Sequence, residues 1–72
     1  MPADGLHKYE VDLRKYTDFW GMESDILWSR EEIWADSLTT AIRKVFRELY
    51  ARNKDKKESF FENFYCEARR IK

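Results

Sequence analysis

Cys66 and His7 are the residues of this chain best suited to nucleophilic catalysis. A thiol needs a neighbouring base to form its reactive thiolate, and histidine is the usual base. The sequence contains one cysteine and one histidine, and they lie at opposite ends of the chain without a shared motif. We therefore expect no catalytic pair and interpret Cys66 as a small buried hydrophobic residue.

Metal binding and carboxylate catalysis have equally little support. A metal site needs three or four convergent ligands, and neither His7 nor Cys66 has a second residue of its kind. Glu31 and Glu32 are adjacent, but neighbours on a strand point to opposite faces of a sheet. The two glycines are too few and too far apart for a phosphate-binding loop. We predict that the protein is not an enzyme and has no metal and no cofactor.

Positive and negative charges are unevenly distributed along the chain. The formal net charge is zero, yet residues 1–36 carry four basic and nine acidic groups, while residues 37–72 carry ten basic and five acidic groups. Clustered Lys and Arg bind phosphates, so nucleic-acid binding is one hypothesis. The alternative is that these groups solvate one face or pair with the acidic half. The candidate contacts to nucleic acid are Arg43, Lys44, Arg47, Arg69 and Arg70.

Aromatic residues are the other candidates for binding. The chain has 3 Trp, 4 Tyr and 5 Phe, which is more than a small core requires. Phe19, Trp20 and Trp28 are the candidate partner-binding residues, because Trp and Tyr dominate interface hot spots. Trp20 precedes Gly21 in a predicted turn and is the best candidate for an exposed anchor. The alternative is that Trp20 or Trp28 folds back over a sheet face and completes the core.

Two strands are predicted in the first half of the chain. Tyr9, Val11 and Leu13 alternate with charged residues, which predicts a half-buried strand over residues 7–15. A turn region is expected over residues 16–21. Residues 25–35 alternate imperfectly and predict a second strand that is irregular near Arg30 and Glu31. In that strand we expect one face to carry Ile26, Trp28 and Trp34, and the other face to carry Leu27, Ile33 and Ala35.

A helix over residues 37–52 is the clearest prediction. Its apolar residues recur at the three- and four-residue spacings of one helical stripe. Asp36 or Ser37 can cap its first free amides, and Glu48 and Arg52 form a favourable i,i+4 pair. The stripe consists of Leu38, Ala41, Ile42, Val45, Phe46, Leu49 and Tyr50.

Residues 60–71 fit either a strand or a helix. As a strand, Phe64, Cys66 and Ala68 share one face; as a helix, Ser59 and Glu62 form a capping box. A third strand would stabilise a sheet that is marginal with two. The sequence therefore predicts an α+β fold, a small antiparallel ββαβ sheet with one amphipathic helix on one face. The alternative is a three-helix bundle over residues 6–20, 30–52 and 59–71.

The order of strand, small residue, Asp/Ser cap, amphipathic helix, charged loop and aromatic strand carries a family resemblance. The matching segments are Trp34-Ala35-Asp36-Ser37-Leu38-Thr39-Thr40-Ala41-Ile42, Leu49-Tyr50 and Phe64-Tyr65-Cys66-Glu67-Ala68-Arg69-Arg70-Ile71. They cover about half of the chain and resemble small phage and mobile-element ββαβ proteins, such as the small RNA-polymerase inhibitors of T7-like phages. The resemblance implies a small protein that acts by binding a larger one. No polymerase-contacting residue carries over, because the second segment here is longer, more acidic and richer in Trp.

Length and composition complete the expectations. A chain of 72 residues with 43% hydrophobic residues predicts one small folded domain over residues 1–72. A single cysteine, no signal-peptide pattern and no long apolar run favour a cytoplasmic protein without a membrane segment. Our functional hypothesis is a non-enzymatic protein-binding module that modulates a host machine such as transcription. An uncovered sheet edge would also offer a route to a homo-oligomer.

Overall fold

The computed structural model describes residues 5–72 and shows a three-stranded antiparallel sheet with one α-helix. The elements are β1 (His7–Phe19), β2 (Met22–Ala35), α1 (Leu38–Arg52), a short 3₁₀ helix (Glu58–Phe61) and β3 (Phe64–Arg70). The strand order is β2-β1-β3, so β1 lies in the centre. The α+β prediction is confirmed and the three-helix alternative is wrong.

The core lies between β1 and α1. Tyr9, Val11 and Leu13 of β1 are buried together with Ala41, Val45 and Leu49 of α1. Val11 is fully buried, whereas in a helix over residues 6–20 it would lie outside the apolar stripe of Leu6, Tyr9, Leu13, Tyr16 and Trp20. This segment is therefore a strand and not a helix, and its period of two places Tyr9, Val11 and Leu13 against α1.

The start of α1 is fixed by a side-chain cap. The Ser37 hydroxyl accepts a hydrogen bond from the Thr40 backbone amide at 3.2 Å, so Ser37 is the N-cap and Asp36 is not. The hydroxyl of Thr40 instead holds the pKa of the Asp36 carboxyl below its ordinary value. The Glu48–Arg52 ion pair predicted from the spacing is present.

The third strand resolves the ambiguity of residues 60–71. Residues 64–70 pair antiparallel with β1, from Lys15↔Phe64 to Tyr9↔Arg70. The predicted capping box at Ser59 and Glu62 is wrong, because the preceding 3₁₀ helix begins after Lys57 without a side-chain cap. The strand forms because it hydrogen-bonds to the second edge of β1 and covers the core with Cys66 and Ala68.

The hairpin between β1 and β2 is longer than predicted. Residues 16–19 continue β1, so the turn region over 16–21 is wrong except for Trp20 and Gly21. These two residues have φ of 55° and 77°, the pattern of a two-residue type I′ hairpin turn. Thr17 and Asp18 are residue types that are common in turns, but here they pair with Ser24 and Glu23 across the hairpin.

A β-bulge interrupts β2 at Trp28. Leu13 pairs with Ser29 and Arg14 pairs with Leu27, so Trp28 is the extra residue. The irregularity expected near Arg30 and Glu31 therefore lies a little earlier in the chain. Because the extra residue reverses the alternation, Trp34 lies on the opposite face from Ile26 and Trp28, and Leu27 lies opposite Ile33 and Ala35. The predicted grouping on faces is wrong for that reason.

Candidate interaction surface

The β1–β2 hairpin projects beyond the rest of the sheet. β3 pairs with β1 only as far as Lys15, whereas β1 and β2 remain paired to Phe19↔Met22. Residues 16–27 thus form a two-stranded projection, which we call the arm. It accounts for the elongated shape of the chain, 48 × 25 × 15 Å.

The tip of the arm is apolar and open to solvent. Phe19 is 71% exposed, Trp20 is 87% exposed and Met22 is 75% exposed. The rings of Phe19 and Trp20 lie edge to face with centroids 5.8 Å apart. Three large apolar side chains at one exposed turn are unusual for a surface loop and make this turn a candidate interaction site.

The backbone at Trp20 is strained. A φ of 55° is unfavourable for a residue with a Cβ atom and costs on the order of 1–2 kcal/mol. Type I′ turns favour Asn, Asp or Gly at this position because these residues tolerate positive φ. The turn itself therefore gives no reason for a Trp. Its exposure and its strained backbone make Trp20 a candidate binding residue.

The two faces of the arm differ in chemistry. The face on the α1 side carries Phe19, Met22 and Ile26, as the register with Lys15 and Leu13 shows. The opposite face carries Asp18 directly across from Glu23. Cross-strand pairs of like charge are destabilising, and residues 16–27 contain no Lys or Arg. The arm is therefore acidic, and its charged groups lie on one face, which also carries the exposed apolar residues Tyr16 and Leu27.

Trp28 lies at the base of the arm and folds against the body of the protein. Its ring meets the rings of Phe60 and Phe64 edge to face, at centroid distances of 5.8 and 5.3 Å. The Lys15 ammonium lies 4.3 Å from the Phe64 ring and donates to the carbonyls of Phe60 and Glu62. Trp28 remains 47% exposed but belongs to this cluster.

The structure thus places two of the three predicted partner-binding residues together and the third apart. Phe19 and Trp20 share the tip, and Trp28 does not. Met22 belongs to the tip and was missed by the sequence reasoning. It would have been found if Trp20-Gly21 had been recognised as a two-residue hairpin turn, because the residues on either side of such a turn face each other.

Ion pairs cover the sheet face opposite α1. The buried Asp12 carboxylate accepts hydrogen bonds from Arg30 Nε and Nη2 at 2.7 and 3.0 Å. Arg69 binds Glu10 and lies 3.6 Å from Asp12. The bond from Arg30 holds the pKa of Asp12 below its ordinary value, against the effect of burial. Lys8 pairs with Glu32 and Arg14 pairs with Asp25, at 3.1 and 3.2 Å. The basic groups of this face, Lys8, Arg14, Arg30 and Arg69, are thus each paired with a carboxylate.

The five predicted nucleic-acid contacts do not form one patch. Arg69 belongs to the ion-pair network, and Arg70 lies on the other face of β3, opposite Tyr9. Lys44 donates to the Trp34 carbonyl at 2.9 Å. Arg43 and Arg47 are exposed on α1 and form no ion pair within residues 5–72.

Cys66 and His7 are far apart on the sheet. Cys66 of β3 pairs with Leu13 of β1. His7 lies six residues before Leu13 on β1, where it pairs with Ala35, so His7 and Cys66 are about 20 Å apart along the sheet. Burial raises the pKa of the Cys66 thiol to about 11, so at neutral pH the thiol is protonated. In the described part of the chain, no three His, Cys, Asp or Glu side chains converge as ligands to a metal do.

A cleft of about 230 Å³ separates β2 from the end of α1. Leu13, Val45 and Leu49 form its apolar floor, and Glu31 and Glu48 lie at its wall. Burial, together with the negative charge of Glu48, raises the pKa of Glu31. Glu48 pairs with Arg52, so the lining of the cleft has two carboxylates and one basic group. Glu32 points to the other face and pairs with Lys8, as expected for adjacent residues of a strand.

Comparison of the chain with protein-family models, curated proteins and solved structures finds no match. The resemblance to small phage ββαβ proteins therefore stays a prediction. No helix within residues 5–72 has the length and apolar character needed to cross a membrane.

Proposed function

We propose that this chain is a small non-enzymatic protein-binding module whose binding element is the tip of the arm. The observation that carries the proposal is Trp20, which is almost fully exposed at a strained turn position that favours Asn or Gly. Phe19 and Met22 flank it and enlarge the apolar contact. A Trp anchor with apolar neighbours is the composition of an interface hot spot.

The proposal extends to the kind of partner. The predicted resemblance to small phage and mobile-element proteins supports a larger host machine, such as the transcription apparatus, as the target. The tip would enter an apolar pocket of that machine and modulate it by direct binding. The acidic face of the arm supports a pocket with a basic rim, because complementary charges speed association and exclude wrong partners.

Trp20→Asn tests the proposal. Asn suits the turn, so the variant keeps the fold but lacks the anchor. We expect the wild-type chain to capture a specific protein from cell lysate, identified by mass spectrometry, and Trp20→Asn to lose it. With the purified captured protein, the Kd should rise at least about 30-fold, since hot-spot truncations cost ≥2 kcal/mol.

The matched control is Tyr50→Gln, which removes a half-exposed aromatic side chain from α1, away from the tip. This variant should bind like the wild-type chain. Equal capture by Trp20→Asn and the wild-type chain would contradict the proposal, and so would a loss in Tyr50→Gln as large as in Trp20→Asn.

Nucleic-acid binding is the second candidate, and Arg43 and Arg47 are the observation in its favour. Both guanidinium groups are exposed on one helix and are not engaged by a carboxylate of the described residues. Two such groups can contact phosphates, but they are fewer than the 6–10 contacts of a strong binder.

A further inference from the structure

The outer edge of β3 has no strand beside it in the described part of the chain. Successive residues of a strand turn their backbone groups to opposite sides. Asn63 accepts a hydrogen bond from the Tyr16 amide, and the Ile71 amide donates to the Lys8 carbonyl, so the odd-numbered residues of this segment face β1. The residues whose amides and carbonyls face outward are Phe64, Cys66, Ala68 and Arg70. Such a row of open backbone groups is a template for a further strand.

The other edge of the sheet, along β2, is obstructed. The bulge at Trp28 breaks the regular spacing of its backbone groups, and the Lys44 ammonium occupies the Trp34 carbonyl at 2.9 Å. Bulges and charged side chains are the usual means by which an edge strand avoids pairing. The strand also carries four acidic residues: Glu23, Asp25, Glu31 and Glu32. The register of β3, by contrast, runs without a shift from Phe64 to Arg70.

The flank of α1 on the side of β3 is apolar and only partly covered. Lys44 and Glu48 lie on the β2 side of the helix, as the Trp34 contact and the cleft beside Glu31 show. Residues at four-residue intervals on the opposite flank form a stripe toward β3. The stripe consists of Leu38, Ile42, Phe46 and Tyr50. Leu38 is 42% exposed and Tyr50 is 51% exposed, so a strand added to β3 would find apolar cover beneath this flank.

We infer that the outer edge of β3 pairs with β3 of a second copy, antiparallel and about a two-fold axis at Ala68. The two sheets then join into one, and both α1 helices lie on the same face because the axis is perpendicular to the sheet. Cys66 pairs with Arg70 of the second copy, and Glu67 lies directly opposite Arg69 of the second copy. A two-fold contact of this kind closes as a dimer.

Charge selects a second copy of β3 as the added strand, and it also selects the register. Glu67 and Arg69 lie on the same sheet face, the one opposite α1, and their side chains are 57% and 50% exposed. An axis at Ala68 brings this pair together twice, and opposite charges directly across two strands are stabilising. An axis at Glu67 would set this carboxylate against its own copy, which is repulsive. An axis at Cys66 would leave Arg69 opposite Asn63, without an acid.

The dimer goes beyond the proposed function and does not depend on it. β3 ends level with Lys15, and the arm lies beyond that point. Because the two β3 strands are antiparallel, the two arms project in opposite directions and both tips stay open. The paired strands are short, so the interface is at the small end of specific contacts. We expect a Kd on the order of 10 μM.

Sedimentation velocity over a range of concentrations measures the dimer, and two variants test the edge. Ala68→Pro removes the outward amide at the axis, and Pro is tolerated where an edge amide faces solvent. Glu67→Arg places two Arg side chains opposite each other at both symmetry-related positions. We expect each variant to raise the Kd at least about tenfold. Far-UV circular dichroism confirms that the variants are folded.

The matched control is Glu58→Arg, the same charge reversal at an exposed position of the 3₁₀ helix. This variant should dimerise like the wild-type chain. Trp20→Asn should also dimerise like the wild-type chain, because the tip of the arm is not part of the contact.

Mild oxidation tests the register. In the double variant Cys66→Ser/Ala68→Cys, the two introduced thiols face each other across the axis, with Cα atoms about 5.5 Å apart, a distance that a disulfide can span. In the wild-type dimer the two Cys66 residues are about 14 Å apart, which is too far. We expect a covalent dimer from the double variant and none from the wild-type chain.

A wild-type chain that remains monomeric up to about 1 mM overturns the inference. So does a dimer that is unaffected by both Ala68→Pro and Glu67→Arg, because it would use another surface, and so does ready cross-linking through Cys66. If the chain is monomeric but capture depends on Trp20, the inference fails and the proposed function stands. If the dimer forms as described but no capture depends on Trp20, the proposed function fails and the dimer stands.

Discussion

Asp12 shows how single residues decide the chemistry of the open sheet face. Its carboxylate is buried on the face that α1 does not cover, where burial alone would favour the neutral form. The Arg30 guanidinium binds both of its oxygens, and Arg69 adds positive charge nearby. The carboxylate therefore stays ionised, and its pKa lies below the ordinary value of 3.8.

The lowered pKa of Asp12 predicts acid sensitivity. Because the folded-state pKa is lower than that of the unfolded chain, the ion pair contributes fully above about pH 5 and is lost as the pH falls through the folded-state pKa. We expect Asp12→Asn to lower the free energy of unfolding by about 1–3 kcal/mol at pH 7. It should also lose less stability than the wild-type chain between pH 5 and pH 3, in urea titrations.

The control for Asp12 is Asp18→Asn, which changes an exposed carboxylate that has no ion pair within residues 5–72. It should fall in stability with acid as the wild-type chain does. If Asp12→Asn and the wild-type chain lose the same free energy on acidification, the Arg30–Asp12 pair is not a source of acid sensitivity.

Trp20 is the second residue for which a single substitution gives a clear prediction. The indole makes one aromatic contact, with Phe19, and the backbone is strained. Replacement by Asn should raise the free energy of unfolding by up to about 1 kcal/mol, because Asn tolerates positive φ. Thermal denaturation checks this, and a clear loss of stability would show that Trp20 supports the fold.

At the scale of elements, the bulge in β2 decides on which face of the sheet Trp28 lies. The extra residue turns Trp28 toward α1, where it packs on the 3₁₀ helix and the start of β3. Without the bulge, the alternation would point this side chain to the charged face. Because of the bulge, the Trp28 side chain joins the edge strand β2 to the segment between α1 and β3. The bulge also lies at the base of the arm.

Trp28→Ala should therefore be far more destabilising than any change at the tip. Removal of a Trp that is half buried should lower the free energy of unfolding by about 2–3 kcal/mol, less than the 3–5 of full burial. Met22→Ala at the exposed tip should change it by less than about 0.5 kcal/mol. Urea denaturation of both variants measures the contrast, and equal losses would contradict a stabilising role for the packing of Trp28 on Phe60 and Phe64.

At the scale of the whole molecule, ion pairs between β1 and β3 join the two halves of the chain across the sheet. Arg69 of the basic half binds Glu10, and Arg14 lies 3.8 Å from Glu67. The third strand is thus held to β1 by charge as well as by backbone hydrogen bonds. Pairing removes Arg69 from the charges that could contact nucleic acid and leaves Arg43 and Arg47 on α1.

If nucleic acid is the partner, its binding should depend on these two residues and on salt. We then expect affinity for a DNA or RNA duplex to fall steeply between 50 and 200 mM salt. The double variant Arg43→Gln/Arg47→Gln should bind more weakly and have a smaller salt slope, by about 2. Fluorescence anisotropy measures both, and Lys72→Gln at the end of the chain is the control. An affinity that changes with neither salt nor substitution removes this candidate.

The sequence by itself determined the features that depend on neighbours along the chain. Alternation fixed the core face of β1, the three- and four-residue spacing fixed the buried stripe of α1, and a short polar residue before Leu38 fixed the helix start. These are local patterns, since each follows from the period of one element. They also sufficed to select the ββαβ fold once a third strand was required for a stable sheet.

Only the tertiary structure decided the strand at residues 64–70, the length of the hairpin and the bulge at Trp28. Each depends on a partner remote in the sequence: the free edge of β1, the cross-strand neighbours of Thr17 and Asp18, and the rings of Phe60 and Phe64. The same holds for the candidate site. Which aromatic side chain is covered and which is left in solvent depends on where β3 and α1 end, and no periodicity within β1 or β2 records that.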